Sequence, residues 1–155
     1  MERTRNCGAG TSWITTRRYR QGAVVGGTSA GAAVMSPLMM TGEADLESIR
    51  AGTTELVPGI GLWHEVIVDQ HFVRRQRWAR LVSAVLDHPE LVGVGIDERT
   101  AVEVEGRNWR VLGEGTVVIV DARRAECAPA NPGDRQAARG VQMTILRAGD
   151  SFSLR

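Results

Sequence analysis

Cross-linking is the first thing this chain does without. It has two cysteines in 155 residues, Cys7 and Cys127. They lie far apart and no metal-ligand spacing surrounds either, so neither a disulfide scaffold nor a metal site is expected. Two free thiols suit a reducing compartment, which points to the cytoplasm. Long apolar runs are also lacking, and none reaches the roughly 20 residues of a membrane span. No apolar stretch follows Met1-Glu2-Arg3-Thr4-Arg5-Asn6, so no secretory signal is expected. Charge of one sign is missing too: 19 basic against 18 acidic side chains leave a net +1. That balance gives no electrostatic case for nucleic acid or a membrane surface as partner. There are no repeats and no domain linker. What remains is an ordinary globular composition, 43% apolar, long enough for one domain with its own core.

Residues 1–21 are polar, carry five arginines and show no clear period; they read as irregular. Residues 22–155 read as a single α/β domain. Within it, 22–26 look like a buried strand, 30–40 like a helix and 41–58 like a polar loop. Residues 65–69 read as a short buried strand. Trp78, Leu81, Val82, Val85 and Leu86 recur at helical spacing within 73–87, and Pro89 marks the end of that helix. Leu91 to Ile96 is another buried strand. The strand–helix–strand alternation predicts parallel pairing. Beyond it the chain turns β-rich, with short runs at 101–105, 110–112, 116–121, 141–147 and 151–154 punctuated by glycine. Gly106-Arg107-Asn108 reads as a hairpin connection, and 122–139 as a polar loop.

The most informative segment is Gly26-Gly27-Thr28-Ser29-Ala30-Gly31. It follows the small, apolar run Gly22-Ala23-Val24-Val25 and precedes Ala32-Ala33-Val34-Met35. A serine between small residues, at a strand-to-helix turn, is the pattern of a nucleophile elbow. A plain glycine-rich turn or a phosphate-cradling loop is the competing reading. The turn exposes Oγ and sets it at a helix start, where backbone N–H groups favour negative charge. Such a serine needs a base, and the base an orienting acid. Of the three histidines, His88 in Asp87-His88-Pro89 reads as a solvated helix cap. His64 precedes the strand at 65–69, whereas His71 follows it. Functional residues of open α/β sheets gather at strand carboxyl ends, so His71 is the better base. The candidate acids are Glu43, Asp45, Glu47 and Asp69, and spacing alone does not choose among them. Arg74, Arg75, Arg77 and Arg80 open the following helix, where cations oppose the dipole. A solvated face is the usual reading; recognition of a substrate carboxylate by the guanidinium fork is the alternative.

Three segments in this order, Gly26 to Ser36, Val66 to Phe72 and Gly93 to Ala101, resemble the serine peptidases of family S51, and among them the cyanophycinases. The resemblance runs from about residue 22 to about residue 121. It implies a partial three-layer sandwich with a mostly parallel sheet, a nucleophile elbow at its strand–helix turn and a β-rich C-terminal part. It implies a cytoplasmic exopeptidase that uses no cofactor and no metal. Such an enzyme splits cyanophycin, a poly-aspartate backbone with arginine on each β-carboxyl, into β-aspartyl-arginine dipeptides through an acyl-enzyme. Ser29 matches the family's nucleophile and His71 its base. Glu47, in Glu47-Ser48, matches its acid and is preferred to Glu43. Asp69, Gln70, Arg75, Arg77 and Arg80 match its substrate-binding residues, and the Ala30 N–H would be one oxyanion donor. A homodimer is implied by the family alone. Members carry a longer stretch before the elbow, including a glycine-rich loop of the pocket, so a chain truncated at its N-terminus is expected, with no candidate for the second oxyanion donor. An aspartyl dipeptidase of the same family, or an inactive remnant kept as a binding or structural protein, are the alternatives.

Overall fold

The structure is a computed structural model that describes residues 7–154, with side chains from Trp13 onward. The best-formed part begins at β3 (Val66–Gln70), following two short strands, β1 (Leu38–Met40) and β2 (Leu56–Pro58), that form an antiparallel pair. β3 is Val-Ile-Val-Asp-Gln, and its first four residues are buried. A run apolar on both faces signals a strand covered on both sides, and that is its position. β4 (Val92–Ile96) pairs with β3 in parallel, Val68 opposite Val94. β7 (Thr116–Asp121) then adds to β4 antiparallel, and β10 (Gln142–Arg147) adds antiparallel to β7. The four-stranded order is β10-β7-β4-β3.

Period-two alternation sends the side chains of these strands into two cores. On one face Ile67, Val118 and Val120 meet Phe72 and the α3 helix (Trp78–Asp87) through Leu81, Ala84 and Val85. On the other face Val66, Val68, Val92, Val94, Val117 and Ile119 meet Trp109 and Val111. Those two belong to a second, antiparallel sheet of order β11-β6-β5, built from β5 (Thr100–Glu105), β6 (Asn108–Gly113) and β11 (Ser151–Ser153). Trp63 stands edge-on to Trp109, with ring centroids 4.8 Å apart. The glycines of β4 have a packing reason. A Cβ on Gly95 would sit 2.4 Å from the Phe72 ring, and one on Gly93 would sit 2.7 Å from Val85. Bare backbone at these two points lets α3 and its leading turn lie directly on the sheet.

Several expectations are corrected. The sheet is not mostly parallel: only β3–β4 is, and β7 and β10 run against β4 and each other. The expected irregular segment 1–21 contains the α1 helix (Cys7–Arg20), while residues 1–6 lie outside the described ones. Arg17, Arg18 and Arg20 occupy its last turn, where cations complement the helix dipole; the arginines read as a sign of disorder are at a favourable helix end. No strand forms at 22–26, and Val24 is 98% exposed. The helix expected over 30–40 is a single turn, α2 (Ala30–Ala33), and Leu38 already belongs to β1. The helix expected from 73 begins at Trp78, because Gln76 has φ +51° and the chain from 72 to 77 runs through turns. The loop at 122–139 carries β8 (Glu126–Cys127) paired with β9 (Ala138–Arg139). The hairpin at Gly106-Arg107 forms as expected, joining β5 to β6.

Candidate active site

Ser29 sits between an extended stretch and the single turn of α2, with φ +52° and ψ −121°. A non-glycine residue at positive φ is strained, at a cost of roughly 1–3 kcal/mol. The turn is closed by bonds from the amides of Gly31 to Thr28 O (2.8 Å) and of Ala32 to Ser29 O (2.9 Å). It requires glycine at position 27, since a Cβ there would lie 2.0 Å from Gly31 O. His71 directly follows β3 and is likewise at positive φ, +54°. Its own carbonyl accepts the Arg75 N–H at 2.9 Å, and the next residue, Phe72, donates its N–H to Ile96 O at 3.2 Å. The buried Phe72 ring therefore pins the turn that carries the imidazole.

These two turns bring Ser29 Oγ within 3.1 Å of His71 Nε2. His71 Nδ1 lies 2.6 Å from Glu98 Oε1. A carboxylate accepts and cannot donate, so Nδ1 carries the proton and Nε2 presents its lone pair to the serine O–H. The line runs hydroxyl, imidazole, carboxylate. The line is open to water: Ser29 is exposed, the His71 side chain is 24% exposed and that of Glu98 46%. Among the described residues, strain collects here, because Ser29, His71, Gln76 and Arg99 are the non-glycine residues at positive φ. Three of the four are members of the line or adjoin one.

The acid expected beside His71, Glu47, is not in this line. Glu98 faces His71, while Glu47 is exposed in a loop, where its amide donates to Asp45 Oδ1 at 2.9 Å. Glu43 is exposed too and packs its backbone against Glu55. Asp45 is spent inside its own turn. The Ser48 hydroxyl, then the Glu47 and Ser48 amides, hold its carboxyl below the usual range. A signal for Glu98 was present. It follows β4, the parallel neighbour of β3, so the strand-end rule that selects His71 selects Glu98 as well.

The expected substrate-binding residues divide. Asp69 is fully buried and engaged. Its carboxylate accepts Arg80 Nε at 2.7 Å, a second Arg80 N–H, the Gln70 amide at 2.8 Å and Arg77 Nη1 at 3.3 Å. Arg80 is 3% exposed at its side chain and Arg77 11%. Burial, then the neighbouring Arg80 charge, pulls the Arg77 guanidinium below its ordinary value, against the pull of Asp69. Arg77 also donates to Gln70 O at 2.6 Å and Gln70 Oε1 at 3.0 Å. Asp69, Arg77 and Arg80 thus brace the end of β3 from inside, Gln70 is held beside them, and Arg75 alone of the set stands exposed. His64 is exposed, and His88 caps α3 beside Glu90 at 3.5 Å. Cys127 is free and exposed. Among the described residues no group of three histidine, cysteine or acidic side chains is placed to hold a metal, and no helix is long and apolar enough to cross a membrane.

Fold and site together describe a mixed α/β protein with a serine, a histidine and a glutamate in one hydrogen-bonded line. Residues 8–112 match the sequence profile described as Peptidase family S51, and the chain belongs to that family. It is similar to a cyanophycinase of Geminocystis herdmanii, 42% identical over 144 residues that make up 88% of this chain and 52% of that protein. A cyanophycinase of Nostoc is 40% identical over 148 residues, 91% of this chain and 49% of that one. A third, of Synechococcus elongatus, is 39% identical over 137 residues, 86% and 42% respectively. The chain spans about half the length of these relatives. Among solved structures, a peptidase from an acI-B1 actinobacterium aligns over 81% of this chain and 43% of its own, with 27% identity and a TM-score of 0.48.

Proposed function

We propose that this chain carries the catalytic residues of a serine-type peptidase acting on cyanophycin, the substrate its relatives are named for. Ser29 is the nucleophile, its turn a nucleophile elbow; His71 is the base and Glu98 the residue that orients it. The α3 helix, the four-stranded sheet and the smaller sheet are read as part of a three-layer sandwich. The carrying observation is the 3.1 Å approach of Ser29 Oγ to His71 Nε2, with Glu98 at 2.6 Å on the other ring nitrogen. Oγ attacks the scissile carbonyl carbon as its proton passes to Nε2. The tetrahedral intermediate collapses, the amine leaves with that proton, and an acyl-serine remains. Water, deprotonated by the same nitrogen, then releases the acid and restores the serine. Glu98 keeps Nδ1 protonated and stabilises the imidazolium that forms. The Ala30 N–H at the start of α2 is the donor for the developing oxyanion; one such donor supports roughly 10²–10³ in turnover. Arg75 is the exposed cation available to a substrate carboxylate, whereas Asp69, Arg77 and Arg80 serve the framework.

The experiment is release of β-aspartyl-arginine dipeptides from cyanophycin by the wild-type chain and by Ser29→Ala. A fluorophosphonate, a probe for activated serines, is run beside it. Dipeptide release and labelling that both vanish in Ser29→Ala support the proposal. Labelling without release points to a different peptide substrate, such as an aspartyl dipeptide. Neither in either protein overturns it.

A further inference from the structure

Glu98 poses a placement problem. Its side chain is 46% exposed, and among the described residues its one hydrogen-bond partner is His71. A half-exposed glutamate with three rotatable bonds does not hold a single position by itself, because fixing it costs rotamer freedom. Its direction must come from the backbone that bears it. That backbone is bound on two sides. On one, Asp97 donates its N–H to Thr116 O in β7 at 3.2 Å, while its carboxylate Oδ1 accepts the Arg74 N–H at 3.1 Å. Arg74 lies in the turn that follows His71. On the other, the Thr100 hydroxyl donates to Glu98 O at 2.9 Å and accepts the Gly115 N–H at 2.9 Å. Glu114 N–H adds a bond to Arg99 O at 3.0 Å. The fit is close: a Cβ on Gly115 would lie 2.6 Å from Thr100 Oγ1 and 3.0 Å from Glu98 O.

We propose that Asp97 and Thr100 are positioning residues. Asp97 ties the acid-bearing loop to the histidine-bearing turn, and Thr100 fixes the Glu98 peptide against the β6–β7 connection, so that the carboxylate meets Nδ1. The inference rests on the reading of Ser29, His71 and Glu98 as a working triad, and it adds two side chains that touch neither substrate nor reacting atoms. The exposed Arg99–Glu114 pair, 3.1 Å apart with both side chains about two-thirds exposed or more, has no share in the positioning, since such pairs contribute little.

The test uses proton NMR of the whole chain to follow the His71 Nδ1–H resonance, which a short bond to a carboxylate shifts far downfield. The variants are Asp97→Ala, Asp97→Asn, Thr100→Val and Thr100→Ser, with Glu98→Gln as reference. Far-UV circular dichroism and the amide spectrum establish that each is folded. Asp97→Ala and Thr100→Val are expected to lose or displace the downfield line, as Glu98→Gln does. Asp97→Asn keeps an acceptor oxygen and Thr100→Ser keeps the hydroxyl, so both are expected to restore it. Fluorophosphonate labelling of Ser29 should fall roughly 10- to 100-fold in the first pair and recover in the second, the scale of loss for a misplaced catalytic group. Where Asp97→Ala does not fold, the isosteric Thr100→Val and its serine counterpart decide. A line unchanged in the folded Asp97→Ala and Thr100→Val, or missing from the wild type, overturns the inference. A line that responds as expected in a protein whose Ser29 is never labelled leaves the positioning standing and overturns the peptidase reading instead.

Discussion

Two stretches of chain deliver the hydroxyl and the imidazole to one point, and they are built in opposite ways. Residues 66–71 arrive along β3, paired in register with β4, sealed on both faces and braced at the end by the buried Asp69–Arg80 ion pair. Residues 23–29 arrive without regular structure or a strand partner, with Val24 almost wholly in water. Both read as buried strands from their apolar pattern. The difference shows that an apolar run is a request for a neighbour. β3 finds β4 for its backbone groups and two cores for its side chains, while 23–28 finds neither, so its valine stays solvated at little cost. The turn at Ser29 nevertheless closes, because its bonds are local.

Three experiments would break or sharpen this contrast. The largest effect is expected at the brace. Asp69→Ala leaves the Arg80 and Arg77 guanidiniums buried without their carboxylate, and loss of one member of such a pair costs roughly 3–5 kcal/mol. Guanidinium-chloride unfolding at neutral pH measures it; a loss under 1 kcal/mol would mean that the end of β3 is not held by this ion pair. Next comes a direct comparison of equal deletions. Val68→Ala removes two fully buried methyls and is expected to cost about 2–3 kcal/mol. Val24→Ala removes the same atoms from a 98% exposed side chain and is expected to stay within about 0.5 kcal/mol. Equal costs in the same unfolding experiment would show that residues 23–28 are packed in solution and would erase the contrast. The smallest effect is at Ser29. Ser29→Gly relieves the positive φ and should raise stability by about 1 kcal/mol while abolishing fluorophosphonate labelling. Ser29→Ala should abolish labelling without that gain. If glycine gives no gain over alanine, the strain at Ser29 is not present in the folded protein.

Much of the central fold is legible in the sequence. β3, β4 and β7 fall within a residue of their expected bounds, because short β-branched runs between turn residues have few other conformations. The core face of α3 was likewise visible in its spacing. Its start was not: residues 73–77 carry good helix formers, yet the Phe72 ring lying on Gly95 and the positive φ of Gln76 hold that segment in turns. The antiparallel entry of β7 could not be read from local pattern, since an apolar run of six residues pairs equally well in either direction. The serine and histidine were legible because each marks a local event, a tight small-residue turn and a strand end. Glu98 escapes a local reading, because the topology that brings the β4 end beside the β3 end, and not likeness to a segment between serine and histidine, sets its carboxylate on His71. The arginines follow a related logic: a pattern of cations gives no burial, and burial makes Arg80 the partner of Asp69.

The sequence by itself determined the family, the strands of the central sheet, the turn that strains Ser29, and His71 as its partner. These follow from local backbone chemistry and from apolar period, which any short window carries. Only the tertiary structure decided that Glu98 completes the line, that Asp69 and Arg80 face inward, that one strand pairing in the main sheet is parallel, and that Val24 remains in water. Each depends on which surfaces meet, because hydrogen-bond partners and burial are properties of pairs of segments and not of either one alone.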